Sequence, residues 1–251
     1  MSTPSLVFVH GAFSSGSDFA AWADYFAQAG FDCFNPSLPG HAPADFVALR
    51  NLSINDYTTN VLQLVRRLPE PPVLVGHSMG GLITQHVCAA VPCRALICIA
   101  SAPSGILTAQ RRALPYLAPL FPSILAGRPI CPSLEVFRAL ALHDLLEEER
   151  DAIARGLGAE SGRAYREMIF GLSRVNARSV TCPVLCLSGG ADRIISTRLA
   201  ESVARQYQAK HIQFAGRGHW LIAPSGVQQV AATAKAWLTE ILGKHRSSSA
   251  V

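Results

Sequence analysis

The chain has little charge. Asp, Glu, Lys and Arg make up only 16% of its 251 residues, against 49% hydrophobic residues. A body this apolar does not stay unfolded in water, so disorder is excluded for most of its length. Lysine is nearly absent, with only Lys210, Lys235 and Lys244. The formal charge of +5 therefore rests on arginines, and these are dispersed. Only Arg66-Arg67 and Arg111-Arg112 are adjacent pairs, and no basic stretch is interleaved with aromatics. This is the pattern of a solvated surface, not of a nucleic-acid binder.

Long apolar runs are also missing. None approaches the ~18 to 20 residues that a membrane span needs, so no span is expected. The first residues, Met1 to Ser5, carry no basic side chain and lead directly into Leu6-Val7-Phe8-Val9, so no export signal is expected. The seven cysteines, Cys33, Cys88, Cys93, Cys98, Cys131, Cys182 and Cys186, form no C-x-x-C pair. Some, such as Cys98 and Cys186, lie inside apolar runs. They are expected to be reduced, buried small residues, which sets a cytoplasmic location as the expectation. No Gly-rich phosphate loop and no cluster of metal ligands appears, so neither a cofactor nor a metal is expected.

What the chain does have is alternation. Short apolar runs read as strands near Leu6–His10, Asp32–Pro36, Val73–Gly76, Ala95–Ala100, Val184–Ser188 and His211–Phe214. Helical stretches fall between them near Asp18–Ala29, Ile54–Leu68, Gly81–Ala90, Arg198–Tyr207 and Gly226–Leu242. Strands that are apolar throughout are buried on both faces, so the expected fold is α/β: a mostly parallel sheet of about six strands covered by helices. From 103 to 180 the rhythm breaks into a helical, proline-rich segment. Its stretch Pro115-Tyr116-Leu117-Ala118-Pro119-Leu120-Phe121-Pro122 fits neither a regular strand nor a long helix. Leu146–Ala154 and Arg163–Leu172 read as amphipathic helices. The expected organisation is a core of residues 1–102 and 181–243 interrupted by the segment 103–180, with 244–251 a frayed tail.

The most informative residues are Gly76-His77-Ser78-Met79-Gly80. They match G-x-S-x-G, follow the apolar run Pro72–Val75 and enter a helix-forming stretch. A turn this tight strains the serine backbone and leaves no room for side chains at the glycines. Asp192 follows another run, in Gly189-Gly190-Ala191-Asp192, and His219 follows a third, in Gly216-Arg217-Gly218-His219. A serine hydroxyl needs a base in reach, and the base needs a group that fixes its tautomer. Ser78, His219 and Asp192 supply those three types.

In motif, order and context the sequence resembles the α/β-hydrolase superfamily, as a serine esterase- or lipase-like member with a helical cap. The likeness extends over nearly the whole chain. It implies that Ser78 is the nucleophile, His219 the base and Asp192 the acid. A proline often found shortly after the acid is absent here, and Asp144 is the weaker competitor. The first oxyanion donor is the backbone N–H of Met79, the residue after the nucleophile. The second, by resemblance, is that of Ala12 after His10-Gly11, with Phe13 the fallback. Phe13 and Met79 are expected to wall the substrate pocket, Trp22 to pack in the core, and Trp220 either to pack likewise or, beside His219, to border the pocket. His10 is expected to shape its loop and His77 to be structural. His41, in Leu38-Pro39-Gly40-His41, matches a loop signature whose role is open, and His86, His143, His211 and His245 have no supporting context.

The resemblance further implies that 103–180 is a cap over an apolar chamber. The expected reaction is hydrolysis of small to medium apolar esters through an acyl-enzyme. Thioesters, lactones and carbon–carbon substrates use the same triad. Hydroxynitrile lyases and cofactor-free dioxygenases are disfavoured because none of the lysines lies near a strand end on the active side. A ligand receptor that retains the triad is a further alternative. Dehalogenases and epoxide hydrolases carry an aspartate where Ser78 stands. The expected partner is a small ester-like molecule, and oligomeric state is not legible.

Overall fold

A computed structural model describes residues 4–41, 49–108 and 110–248. The start of the chain on which the export reading rests lies partly outside them, as do 249–251 of the expected tail. Six strands, β1 Leu6–Val9, β2 Cys33–Phe34, β3 Val73–His77, β4 Ala95–Ile99, β5 Val184–Gly189 and β6 Lys210–Phe214, form one sheet in the order β2-β1-β3-β4-β5-β6. Every neighbouring pair is parallel. The helices are α1 Ala20–Ala27, α2 Ile54–Val65, α3 Met79–Ala90, α4 Leu114–Leu117, α5 Phe121–Leu125, α6 Leu134–Leu140, α7 Glu147–Gly156, α8 Gly162–Ile169, α9 Thr197–Gln206 and α10 Ala232–Ser248. Among the described residues, no helix is long and apolar enough to cross a membrane.

Side chains alternate across a strand, and β1 shows the consequence. Leu6 and Phe8 enter one core layer with Phe19, Trp22 and Phe26 of the first helical region and Trp237 and Leu238 of α10. Val7 and Val9 enter the other, with Ile54, Tyr57 and Val61 of α2, Leu82 and Ile83 of α3 and Val203 of α9. Burial on both faces explains why β1, β3, β4 and β5 are apolar almost throughout.

The chain leaves β1 for β2 on one side and returns to β3 on the other. Such a reversal opens a crevice at the carboxyl ends of β1 and β3. The register Val9↔Gly76 sets the loop after β1 beside the turn after β3.

Some boundaries differ from expectation. β3 runs on to His77 and α3 begins at Met79, so Ser78 alone makes the turn. The expected first helix opens as a 3-10 turn, Gly16–Phe19, before α1. The expected last helix is split into a 3-10 turn Pro224–Gly226, a π turn Val227–Ala231 and α10. α10 continues to Ser248, past the predicted end at Leu242 and into the stretch read as a frayed tail. All seven cysteines are free, with Cys88, Cys98 and Cys186 buried and Cys131 exposed.

Between β4 and β5 the described residues of the segment add no strand to the sheet; an isolated bridge pairs Ile130 with Glu160. Its prolines start short turns instead of breaking a long one. Pro115 opens α4, Pro119 the 3-10 turn Ala118–Leu120, and Pro122 opens α5. A first-turn residue has no intrahelical N–H bond to lose, so proline fits there.

Candidate active site

Ser78 has φ 53 and ψ −118, a left-handed conformation that costs a non-glycine residue of order 1–3 kcal/mol. Its surroundings hold it there. Its N–H donates to the Ile99 carbonyl at 3.0 Å, and its own carbonyl accepts from Gly81 and Ala102 at 3.0 Å each. The flanking glycines make room: a Cβ on Gly80 would lie 2.1 Å from the Val9 carbonyl oxygen, and one on Gly76 would lie 2.4 Å from that of Gly80. Ser78 is also the N-cap of α3, so the first N–H groups of that helix, beginning with Met79, have no partner within it.

Asp192 follows β5 and His219 follows β6. The two loops interlock, because Gly190 N–H donates to Phe214 O and Ala191 N–H to Arg217 O, each at 2.9 Å. His219 Nδ1 lies 2.8 Å from Asp192 Oδ2, with side chains only 4% and 1% exposed, respectively. The other carboxylate oxygen accepts the N–H groups of Ile194 at 2.7 Å and Ile195 at 3.0 Å. Four lone-pair sites of a buried carboxylate are thereby largely satisfied. Asp144, the competing acid, instead faces Arg217 at 3.4 Å and packs against Gly218.

His77 donates from Nε2 to the His219 carbonyl at 3.0 Å. Burial, then the neighbouring His219, lowers its pKa to about 3, so it stands neutral as a strut beneath the loop of His219. Trp220 packs on the His77 ring with centroids 5.2 Å apart.

Ser78 and His219 face one cavity of about 540 Å³, within the range of small-molecule sites. The Ser78 hydroxyl and His219 Nε2 are not hydrogen-bonded to each other in this structure. Ala12, Phe13 and Trp220 line the same cavity. The Met79 side chain does not: it is fully buried and belongs to the core layer of α2 and α3, so its expected place in the pocket wall is corrected. A helix that starts directly at Met79 turns that side chain into the core and leaves only its backbone at the site.

The far wall comes from the segment between β4 and β5, through residues such as Leu107, Leu117, Phe121, Phe137, Tyr165 and Met168. Sequence reading foresaw their apolar class but not their identities. Among the described residues, no Asp, Glu, Lys or Arg lines the cavity. Phe13 anchors the segment: its ring packs against Phe137 at 5.5 Å and Tyr165 at 5.4 Å. Its carbonyl accepts the Gly158 N–H at 2.8 Å. Among the described residues, no group of three His, Cys, Asp or Glu side chains is placed to hold a metal ion.

The sequence model of the alpha/beta hydrolase family matches residues 6–233. Over 90 residues the chain is 30% identical to a pyrethroid hydrolase of Sphingobium wenxiniae, a match that spans 34% of this chain and 32% of that relative. In structure the chain is similar to the methylesterase MES16 of Arabidopsis, with a TM-score of 0.74 and 16% identity over 93% of this chain and 98% of that one. It is likewise similar to a monoacylglycerol lipase of Paleococcus ferrophilus, with a TM-score of 0.74 and 20% identity over 96% and 97% of the two chains.

Proposed function

Because the chain belongs to the alpha/beta hydrolase family, we propose that it is a serine hydrolase of carboxylic esters with small to medium, neutral, apolar groups. The observation that carries this reading is the meeting of the His219–Asp192 pair and the strained Ser78 turn at one cavity whose described lining is predominantly apolar. Ser78 attacks the ester carbonyl while His219 Nε2 takes its proton. Asp192 keeps the other proton on Nδ1 and stabilises the imidazolium. The oxyanion is received by the N–H groups of Met79 and Ala12, and each donor of this kind is worth about 2.7–4 kcal/mol in the transition state. His219 then protonates the leaving alcohol, and water, activated by the same imidazole, frees the acid and restores Ser78.

The segment 103–180 acts as the cap. Its apolar inner face favours uncharged acyl and alcohol groups, since a charge buried there would have no partner. The similarity to a pyrethroid hydrolase supports ester hydrolysis, with the substrate itself open.

The test is hydrolysis of p-nitrophenyl esters from acetyl to dodecanoyl by the wild type and Ser78→Ala. Serine-dependent turnover that peaks at one chain length is the expected result. Turnover that survives Ser78→Ala overturns the nucleophile. No turnover on any ester redirects the search to lactone, thioester or carbon–carbon substrates, or to a receptor that binds without cleaving.

A further inference from the structure

His41 had a motif but no role, and Glu160 had neither. The two meet in the interior: His41 Nε2 lies 3.0 Å from Glu160 Oε2, with side chains 2% and 0% exposed. Glu160 stands between α7 and α8, and its backbone is locked to Ile130 by a pair of hydrogen bonds of 2.9 and 2.8 Å. Its second carboxylate oxygen accepts the Tyr57 hydroxyl and the Ser161 N–H, both at 2.6 Å. Three donors from three parts of the chain thus converge on one buried carboxylate.

Partner chemistry fixes the protonation states. His41 Nδ1 faces the Pro39 carbonyl at 3.1 Å and Nε2 faces the Glu160 carboxyl at 3.0 Å, an arrangement of two acceptors that favours the imidazolium, in which both nitrogens donate. Burial opposes that charge, but the hydrogen bond and charge of Glu160 outweigh it and raise the His41 pKa. The ring of His10 lies 5.0 Å away. Its Nε2 receives the Leu38 N–H at 2.9 Å, so the proton sits on Nδ1, which donates to the Gly11 carbonyl at 2.9 Å. Burial, then the charge of His41, brings the His10 pKa down to about 3 and keeps it in that neutral form.

The Gly11 carbonyl and the Ala12 N–H belong to one peptide unit. No peptide bond among the described residues is cis, so the two groups point in opposite directions. Holding the carbonyl with His10 therefore aims the N–H. Two residues before Glu160, Gly158 holds the other end of the loop through the Phe13 carbonyl, where Phe13 itself sits at φ 65.

We propose that the buried Glu160–His41 pair is a positioning device for the oxyanion donor. Through His10 and Gly158 it clamps both ends of the Gly11–Phe13 loop, so the pair, which does not line the cavity, sets the Ala12 N–H without touching substrate. This rests on the hydrolase reading of Ser78. A displaced donor weakens the transition state and leaves ground-state binding alone, which gives the inference its signature.

The test compares the wild type with Glu160→Gln and, in case the single change fails to fold, with the double variant His41→Gln/Glu160→Gln, which keeps a neutral hydrogen-bonded pair. Kinetics on the best p-nitrophenyl ester are read beside two ligands: an alkyl boronic acid that closes a tetrahedral adduct on Ser78, and the alcohol of equal chain length. The expected result is a fall in kcat of about 10- to 100-fold, the scale on which small misplacements act, with KM within about twofold. Boronate affinity should fall by the same factor and alcohol affinity should hold. In ¹⁵N spectra the Ala12 and Phe13 amide resonances should move. An unchanged kcat and unchanged amides in a folded variant overturn the inference. So does a loss shared equally by boronate, alcohol and KM, which is general loosening. If wild-type Ser78 is inert to boronate and ester alike, the hydrolase reading fails first, and the amide resonances alone decide whether the clamp exists.

Discussion

The loops at the carboxyl ends of the strands and the helical segment that faces them are held by different means. The loops are fixed by backbone. Gly76 and Gly80 touch neighbouring main chain, Gly189 lies where a Cβ would come within 2.1 Å of the Gly218 carbonyl oxygen, and Ser78 is pinned by three hydrogen bonds. The segment is fixed mainly by side chains, such as Tyr165 and Phe137 on Phe13. It also leaves Ile106, Phe121 and Phe170 of the cavity lining exposed. On the proposed reading, chemistry that requires sub-ångström placement falls to loops held by main chain, which has few alternatives. Substrate shape is assigned to side chains, which can change without disturbing the reaction.

The sharpest way to break this contrast lies in the loops. Ser78→Ala should lower kcat by roughly 10⁴- to 10⁶-fold, the scale on which such nucleophiles are lost, while circular dichroism and Tm stay near the wild type. Activity within tenfold of the wild type would remove Ser78 from the mechanism. Next in size is Asp192, the proposed acid. Asp192→Asn leaves His219 without its partner and should cost about 10³- to 10⁴-fold in kcat. Asp144→Asn, which disturbs Arg217 instead, should cost less than about tenfold. Equal losses would mean that the 2.8 Å contact with Asp192 is not the one that matters.

The same glycine substitution should have opposite signs in the two regions. Gly80→Ala forces a Cβ to within 2.1 Å of the Val9 carbonyl oxygen, so β1 and α3 must part. A cost of about 3 kcal/mol, or a Tm lower by roughly 6–12 °C, is expected. Gly156→Ala, at the end of α7 with nothing within 4 Å of the added methyl, should be neutral or stabilise by about 0.4–1 kcal/mol. Thermal melts of both variants decide it, and a stabilised Gly80→Ala would overturn the close-approach argument.

Histidine titration separates a contact within the loops from one that ties a loop to the segment, since His77 bonds the His219 carbonyl and His41 pairs with Glu160. His77 is neutral when folded, with a pKa lowered to about 3 by burial and by His219, whereas the unfolded side chain titrates near the ordinary value of about 6.5. Between those values the unfolded chain binds more protons, so stability is full above about pH 6.5 and falls as the solution is acidified, by about 1.4 kcal/mol per unit for each such histidine. His41 has the opposite sign. Its folded pKa is raised, so its contribution is present below about pH 6.5 and is lost as pH rises through the folded value. Denaturant melts from pH 4 to 9 should show a shallower acid limb in His77→Asn and a shallower alkaline limb in His41→Gln. Slopes unchanged from the wild type would mean that neither ring is held as described.

These differences also explain what was legible. Ser78, Asp192 and His219 stood out because close backbone approach demands glycine at fixed offsets, and strands buried on both faces leave apolar runs. Trp220 was legible only by adjacency to His219. Met79 was misread because an apolar residue beside a nucleophile can face either pocket or core, and only the abrupt start of α3 decides. Glu160 left no local signal at all: its partners lie 119 and 103 residues away in sequence, at His41 and Tyr57. Pairing of that kind is a product of topology, and no spacing rule encodes it.

The smallest effect is expected at the rim. Phe121 lines the cavity, is 42% exposed and meets Phe170 with ring centroids 6.2 Å apart. Truncation to alanine removes a wall that no backbone constraint supports, so stability should change by about 1 kcal/mol or less. Each methylene accepted or refused by an apolar wall is worth about 1–3 kcal/mol in specificity. Phe121→Ala should therefore move the preferred acyl chain of the p-nitrophenyl series to a longer one, while kcat on the shortest ester stays within about threefold. If the variant instead lost kcat on every ester alike, the rim would be part of the machinery that positions Ser78, and the division between main-chain chemistry and side-chain shape would fail at this wall.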